Sequence, residues 1–121
     1  MTMMTARWDD YEKADGMYFV RQYLREEIEK EQKSQGKGDT ELMRACCLLL
    51  YRHGHVEDAG LIWEAKNASF DASFAIDAYL LLGAGLESTK KYLREFRMIK
   101  PLDLIESMER LGDFEGVGIN P

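Results

Sequence analysis

The residues of this chain best equipped for chemistry lie close together between positions 46 and 58. Cys46 and Cys47 stand in "LMRACCLLLY", His53 and His55 flank a glycine in "YRHGHVEDAG", and Glu57 and Asp58 follow at once. Thiols, imidazoles and carboxylates are the ligands of zinc and the parts of a nucleophile–base pair. A zinc site needs three or four of them converging, and Cys46, His53 and His55 straddle a glycine turn at unspecific spacing. A thiol nucleophile needs a depressed pKa, whereas an apolar run raises it and makes the thiol inert. The simpler reading places the cysteines in the core. His53 is then a packed histidine at a helix end, on the face of Leu42, Ala45, Cys46 and Leu49, favoured there by the dipole when charged. No Gly-rich phosphate loop, His-Glu-x-x-His or Gly-x-Ser-x-Gly pattern occurs. The expectation is therefore a protein that is not an enzyme and takes no cofactor or metal. A metal-binding enzyme or sensor around Cys46, His53 and His55 is the less favoured alternative.

Composition narrows the classes further. The 121 residues, 45% hydrophobic, suffice for one domain spanning positions 1–121. Lys and Arg number 16 against 22 Asp and Glu, a net charge of −6. That balance argues against a duplex nucleic-acid binder, which needs clustered cations for phosphate contacts, and suits a basic partner. The two adjacent cysteines are no disulfide framework. The opening "MTMMTARWDDYEKADG" turns acidic without the apolar stretch of a secretion signal, and no run has the length of a membrane span. A cytoplasmic location follows as the expectation, with no membrane partner.

The elements that must position these residues read as helices. Only Pro101 and Pro121 could break them, and no segment alternates as a strand does. The spacing predicts an all-α fold of about six helices, at about 11–33, 41–53, 56–66, 70–82, 86–98 and 101–111, with a short C-terminal tail. The first carries Met17, Val20, Leu24 and Ile28 as one apolar stripe, and Arg21, Arg25, Glu26, Glu27, Glu29, Lys30 and Glu31 on its other faces. "KSQGKGDT" interrupts the pattern and offers Asp39 or Thr40 as an N-cap, while Pro101 suits a first helical turn.

Three joints share a small residue, then an apolar residue, then glutamate: "GHVEDA" from Gly54, "AGLEST" from Ala84 and "GDFEGV" from Gly112, at intervals of 30 and 28 residues. A small residue suits a C-cap with positive φ, and the glutamate faces the positive end of the next helix. Such recurrence predicts stacked antiparallel helical hairpins. "YRHGHVEDAGLIWEA" resembles the tetratricopeptide repeat, with Gly54, Ala59 and Trp63 in the slots for the turn glycine, the alanine and the aromatic. Thr89 replaces that alanine in the next unit, and the interval is shorter than the family's roughly 34 residues. The architecture is accordingly read as a tetratricopeptide-like or HEAT-like stack.

Two stretches invite a binding role. In "FDASFAIDAYLLLGAG", Phe70, Phe74, Ala78 and Leu81 line one side of the expected helix and Ala72, Ala75, Ile76 and Tyr79 the other. That pattern predicts a central helix. Asp77 interrupts it and is read first as a buried strut partnered by Ser73 or Arg44, and second as a groove residue. Lys90, Arg94 and Arg97 form a basic stripe expected to pair with nearby glutamates. Asp9, Asp10, Glu12, Glu57 and Asp58, with Trp8, Tyr11 and Trp63 close in sequence, have the composition of an interface.

The stretch "IWEAKNASFDASFAIDAYLLLGAGLESTKKYL", Ile62 to Leu93, resembles part of small bacterial proteins that accompany polymorphic toxins as immunity proteins. The resemblance implies a stoichiometric inhibitor that covers the active site of a cognate toxin, often a cationic nuclease, with an acidic surface. The sequence reading is thus a protein-binding module of immunity type. Its partner-binding residues are expected at Glu57, Asp58, Trp63, Glu64, Phe70, Asp71 and Asp77. A generic helical-repeat adaptor or homodimeric scaffold is the alternative.

Overall fold

A computed structural model describes residues 16–114. The described residues form six α-helices and one 3-10 helix, with no strand. These are α1 (Tyr18–Lys33), α2 (Thr40–His53), α3 (Asp58–Lys66), α4 (Phe70–Ala75), the 3-10 helix (Ala78–Leu82), α5 (Leu86–Glu95) and α6 (Ile99–Arg110). The fold is all-α. None of the described helices is long and apolar enough to cross a membrane. The expected start of the first helix at Tyr11 and the end of the third joint lie outside the described residues.

Local signals explain most boundaries. The Asp39 carboxylate accepts from the Leu42 amide at 3.0 Å and starts α2, and the Ser69 hydroxyl accepts from the Ala72 amide at 3.0 Å and starts α4. Gly54 ends α2 in the left-handed region at φ 82°. The α5 helix ends differently. Its last turn closes with the Met98 amide on the Leu93 carbonyl at 2.8 Å and the Arg97 amide on the Arg94 carbonyl at 3.2 Å. That is the Schellman pattern, with Arg97 at φ 56° where glycine is usual. The helix therefore stops at Glu95, short of the expected Met98.

Helix α1 packs along α2 and against α3, α2 and α3 both touch α4, and α5 pairs with α6 and reaches the 3-10 helix. The core between them is built from Leu24 and Ile28 of α1, Met43, Cys47 and Leu50 of α2, Ile62 and Ala65 of α3, then Ile76, Leu80, Leu82, Leu93 and Ile105. Gly83 allows the chain to pass close by α2, because a Cβ there would lie 2.6 Å from the Tyr51 carbonyl oxygen.

Three expectations are corrected. The helix expected over 70–82 is broken: Ile76 and Asp77 are extended, and the chain resumes as a 3-10 turn. The Lys66 ammonium holds the break by donating to the Ser73 and Ile76 carbonyls, both at 2.7 Å, which satisfies the open end of α4. As a result α4 is peripheral. Phe70 and Phe74 are 69% and 74% exposed, stacked edge to face at 4.9 Å, while Ala72 faces the core. In α2 the buried face is Met43, Cys46, Cys47 and Leu50; of the face expected to pack with His53 only Cys46 is buried, and His53, at the helix end, is exposed like Leu42, Ala45 and Leu49.

Third, the charged residues of α1 do not all lie away from its apolar stripe. Arg21, Glu27 and Glu31 are buried and wire the helix to three other segments. The Arg21 guanidinium donates to both Asp58 oxygens, at 2.7 and 2.9 Å. Glu27 accepts from the Asp39 amide at 2.8 Å and from Lys30 at 2.9 Å. Glu31 accepts from the Gly36 and Gly38 amides, each at 3.0 Å, and from the Ser69 hydroxyl at 2.6 Å. The spacing 21, 24, 28, 31 puts Arg21 and Glu31 on the same stripe as Leu24 and Ile28.

Candidate functional site

The first turn of α3 brings carboxylates to the surface and sends one inward. Glu57 precedes the helix and is exposed, whereas Asp58 is 2% exposed and paired with Arg21. The helical period then places Gly60 and Glu64 in line with Glu57, with Trp63 beside them. On the facing wall, Tyr92 of α5 and Phe96, the residue that caps its end, hold their rings tilted at 4.7 Å. Between these walls lies an open groove of about 710 Å³, with Leu61 and Met98 adding apolar surface and Arg25 lining it from α1.

The groove is aromatic and negatively biased. Trp63 and Tyr92 are half-buried, Phe96 is 60% exposed, and Glu57 and Glu64 are exposed. Burial pushes the Tyr92 phenol up, and the negative charges of Glu57 and Asp58 push it the same way. Rings of this kind bind cations on their faces and supply large contact area at little entropy cost.

Of the expected binding residues, Glu57, Asp58, Trp63 and Glu64 come together at this groove, and Phe70, Asp71 and Asp77 do not line it. Asp58 contributes as a buried, Arg21-bound carboxylate instead of a surface contact. Asp77 is exposed, which overturns the buried strut. Its charge acts on Lys66, whose pKa burial lowers and Asp77 raises. Tyr92, Phe96 and Met98 were missed by sequence reasoning, although aromatics at i and i+4 on an otherwise charged helix are the signal that marks them. Of the expected basic stripe, Lys90 pairs with Glu109 at 2.8 Å and Arg94 with Glu106 at 3.3 Å, while Arg97 lies past the end of α5.

The first candidate site resolves into separate pieces. Burial pushes the Cys47 thiol up to about 12 and raises Cys46 as well, with Glu27 adding to the latter. Among the described residues no three of His, Cys, Asp and Glu converge to hold a metal ion. His53 and His55 share a hollow with Val56, Ala84 and Ser88. In comparison with known proteins, the chain matches no family model, no curated protein and no solved structure.

Proposed function

We propose that this protein is a binding module that neutralises a basic protein partner through the groove between α3 and α5, in the manner of an immunity protein against a toxin. The observation that carries this reading is the pairing of Trp63, Tyr92 and Phe96 with the exposed carboxylates Glu57 and Glu64 in one groove. Aromatic anchors in a concave surface are the usual holders of binding free energy, and complementary charge speeds encounter and rejects partners of the wrong sign. The net charge of −6 acts in the same direction at longer range. The resemblance of Ile62 to Leu93 to immunity proteins supplies the class of partner, a toxin domain with a cationic surface.

The test is capture with the wild-type chain and with a Trp63→Ala/Glu64→Lys variant, followed by co-expression of the captured protein with each. The expected result is a basic protein retained by the wild type, released by the variant, and toxic to cells unless the wild type is present. A partner held equally by both chains would remove the groove from the reading, and a captured protein without toxicity would remove the immunity role.

A further inference from the structure

We propose that α4 is a second docking surface, on which Phe70 and Phe74 form a ridge that takes a basic amphipathic helix of a partner protein. Single exposed apolar residues are ordinary, but these two rings, 69% and 74% exposed, touch edge to face at 4.9 Å and make one patch. The helical period places them on one side of α4, with buried Ala72 on the opposite side. Ala72 serves the core, and the rings face outward.

A helix of six residues is too short to hold itself in water. Side chains from three other segments fix this one. Gln35 accepts from the Phe70 amide at 3.2 Å, Glu31 accepts from the Ser69 hydroxyl at 2.6 Å, and Lys66 donates to the Ser73 and Ile76 carbonyls. The rings therefore stand on a preset backbone, which lowers the ordering cost of binding.

Rings at i and i+4 are the kind of ridge that one helix lays into the groove of another, and anchors at this spacing serve helix recognition. Charge selects which helix. Exposed Asp71 and Ser73 flank the ridge on its two sides, exposed Asp77 follows the end of α4, and no Lys, Arg or His occurs between Lys66 and Lys90. Lys66 itself is committed to the two carbonyls. A helix with apolar residues toward the ridge and lysines along its margins matches this patch. A second copy of the chain does not, because a symmetric contact through the same patch sets its carboxylates against like charge.

The experiment is an NMR titration of the whole chain at low salt with an amphipathic Leu/Lys helix peptide of roughly 14 residues, and with the same peptide carrying glutamate for lysine. The Leu/Lys peptide is expected to shift the Phe70 and Phe74 ring signals saturably and to give contacts between those rings and its leucine methyls. The Leu/Glu peptide is expected to bind at least about tenfold more weakly. Phe70→Ala/Phe74→Ala is expected to weaken Leu/Lys binding at least about tenfold with the thermal melt unchanged. If that variant does not fold, the ring contacts in the wild type and Asp71→Asn, expected to weaken binding about two- to fivefold, decide instead. No saturable shift, equal binding of the Leu/Glu peptide, or undiminished binding by the folded alanine variant overturns the proposal. So does a concentration-dependent dimer that the alanine variant abolishes, since the ridge then belongs to a second copy. Shifts confined to the Trp63 and Tyr92 signals would place the peptide in the groove, and would overturn this inference while leaving the groove reading in place.

Discussion

Replacing Arg21 by methionine isolates the energetics of the buried ion pair. Asp58 would remain at 2% exposure while losing both hydrogen bonds, at 2.7 and 2.9 Å, from the guanidinium. Removing one partner of a buried pair costs about 3–5 kcal/mol, against roughly 0–1 kcal/mol for an exposed one. With an unfolding entropy of about 2.1 cal/mol/K per residue, a 121-residue chain loses about 4 °C of Tm per kcal/mol. The expected loss is therefore about 12–20 °C, or about 2 M in urea midpoint at a slope of roughly 2 kcal/mol/M. Arg21→Met/Asp58→Leu, which removes both charges, should return to within about 1 kcal/mol of the wild type. Urea unfolding of the wild type, both single variants and the double variant measures the coupling. An Arg21→Met cost below about 1 kcal/mol, with no recovery in the double variant, would refute the assignment of this pair as a buried, mutually dependent unit.

Glu31 contributes to acid stability. The Ser69 hydroxyl, followed by the Gly36 and Gly38 amides, holds its carboxyl below the ordinary 4.5 in spite of the opposing cost of burial. The folded state thus binds this proton less readily than the unfolded chain, so its contribution is complete above about pH 4.5 and is lost as pH falls through the folded value. Glu31→Gln should cost about 1–3 kcal/mol at neutral pH and flatten that acid loss, as read by urea midpoints across pH; an unchanged slope counts against it. Gly83→Ala should destabilise by about 1–3 kcal/mol, because its Cβ would press on the Tyr51 backbone, and a thermal melt matching the wild type would disprove the contact. Cys46 and Cys47 should resist iodoacetamide in the native protein at pH 8 and react fully in denaturant, and rapid native labelling would show that the thiols are not buried as described.

How far the sequence could be read depends on where the deciding interaction sits. The all-α class and the joint at Gly54 were legible because glycine at positive φ is a local signal, whereas at the second joint the positive φ falls on Gly85 and not on Ala84, the small residue aligned with Gly54. The end of α5 was less so, since Arg97 occupies that conformation without glycine to announce it. The break after Ala75 could not be read from "FDASFAIDAYLLL", where Asp77 interrupts the apolar pattern without a glycine or proline to end the helix. It depends on Lys66, ten residues before the Ile76 carbonyl it holds. The α3 wall of the groove was visible as Glu57, Trp63 and Glu64, but its α5 wall comes from residues about 30 positions later, joined only by packing. Asp58 was misread for the same reason: its partner Arg21 lies 37 residues away.

The buried charges of α1 also settle how that helix is rotated about its axis. The stripe of Met17, Val20, Leu24 and Ile28 could slide against apolar neighbours at small cost, because hydrophobic contact has no direction. The bonds of Arg21 to Asp58, Glu27 to the Asp39 amide and Glu31 to Gly36, Gly38 and Ser69 permit one setting only. A shift by one residue turns the helix by about 100° and breaks all of them together. The same setting points Arg25 to the groove, so the apolar face holds α1 in place and the charged residues decide what it presents to a partner.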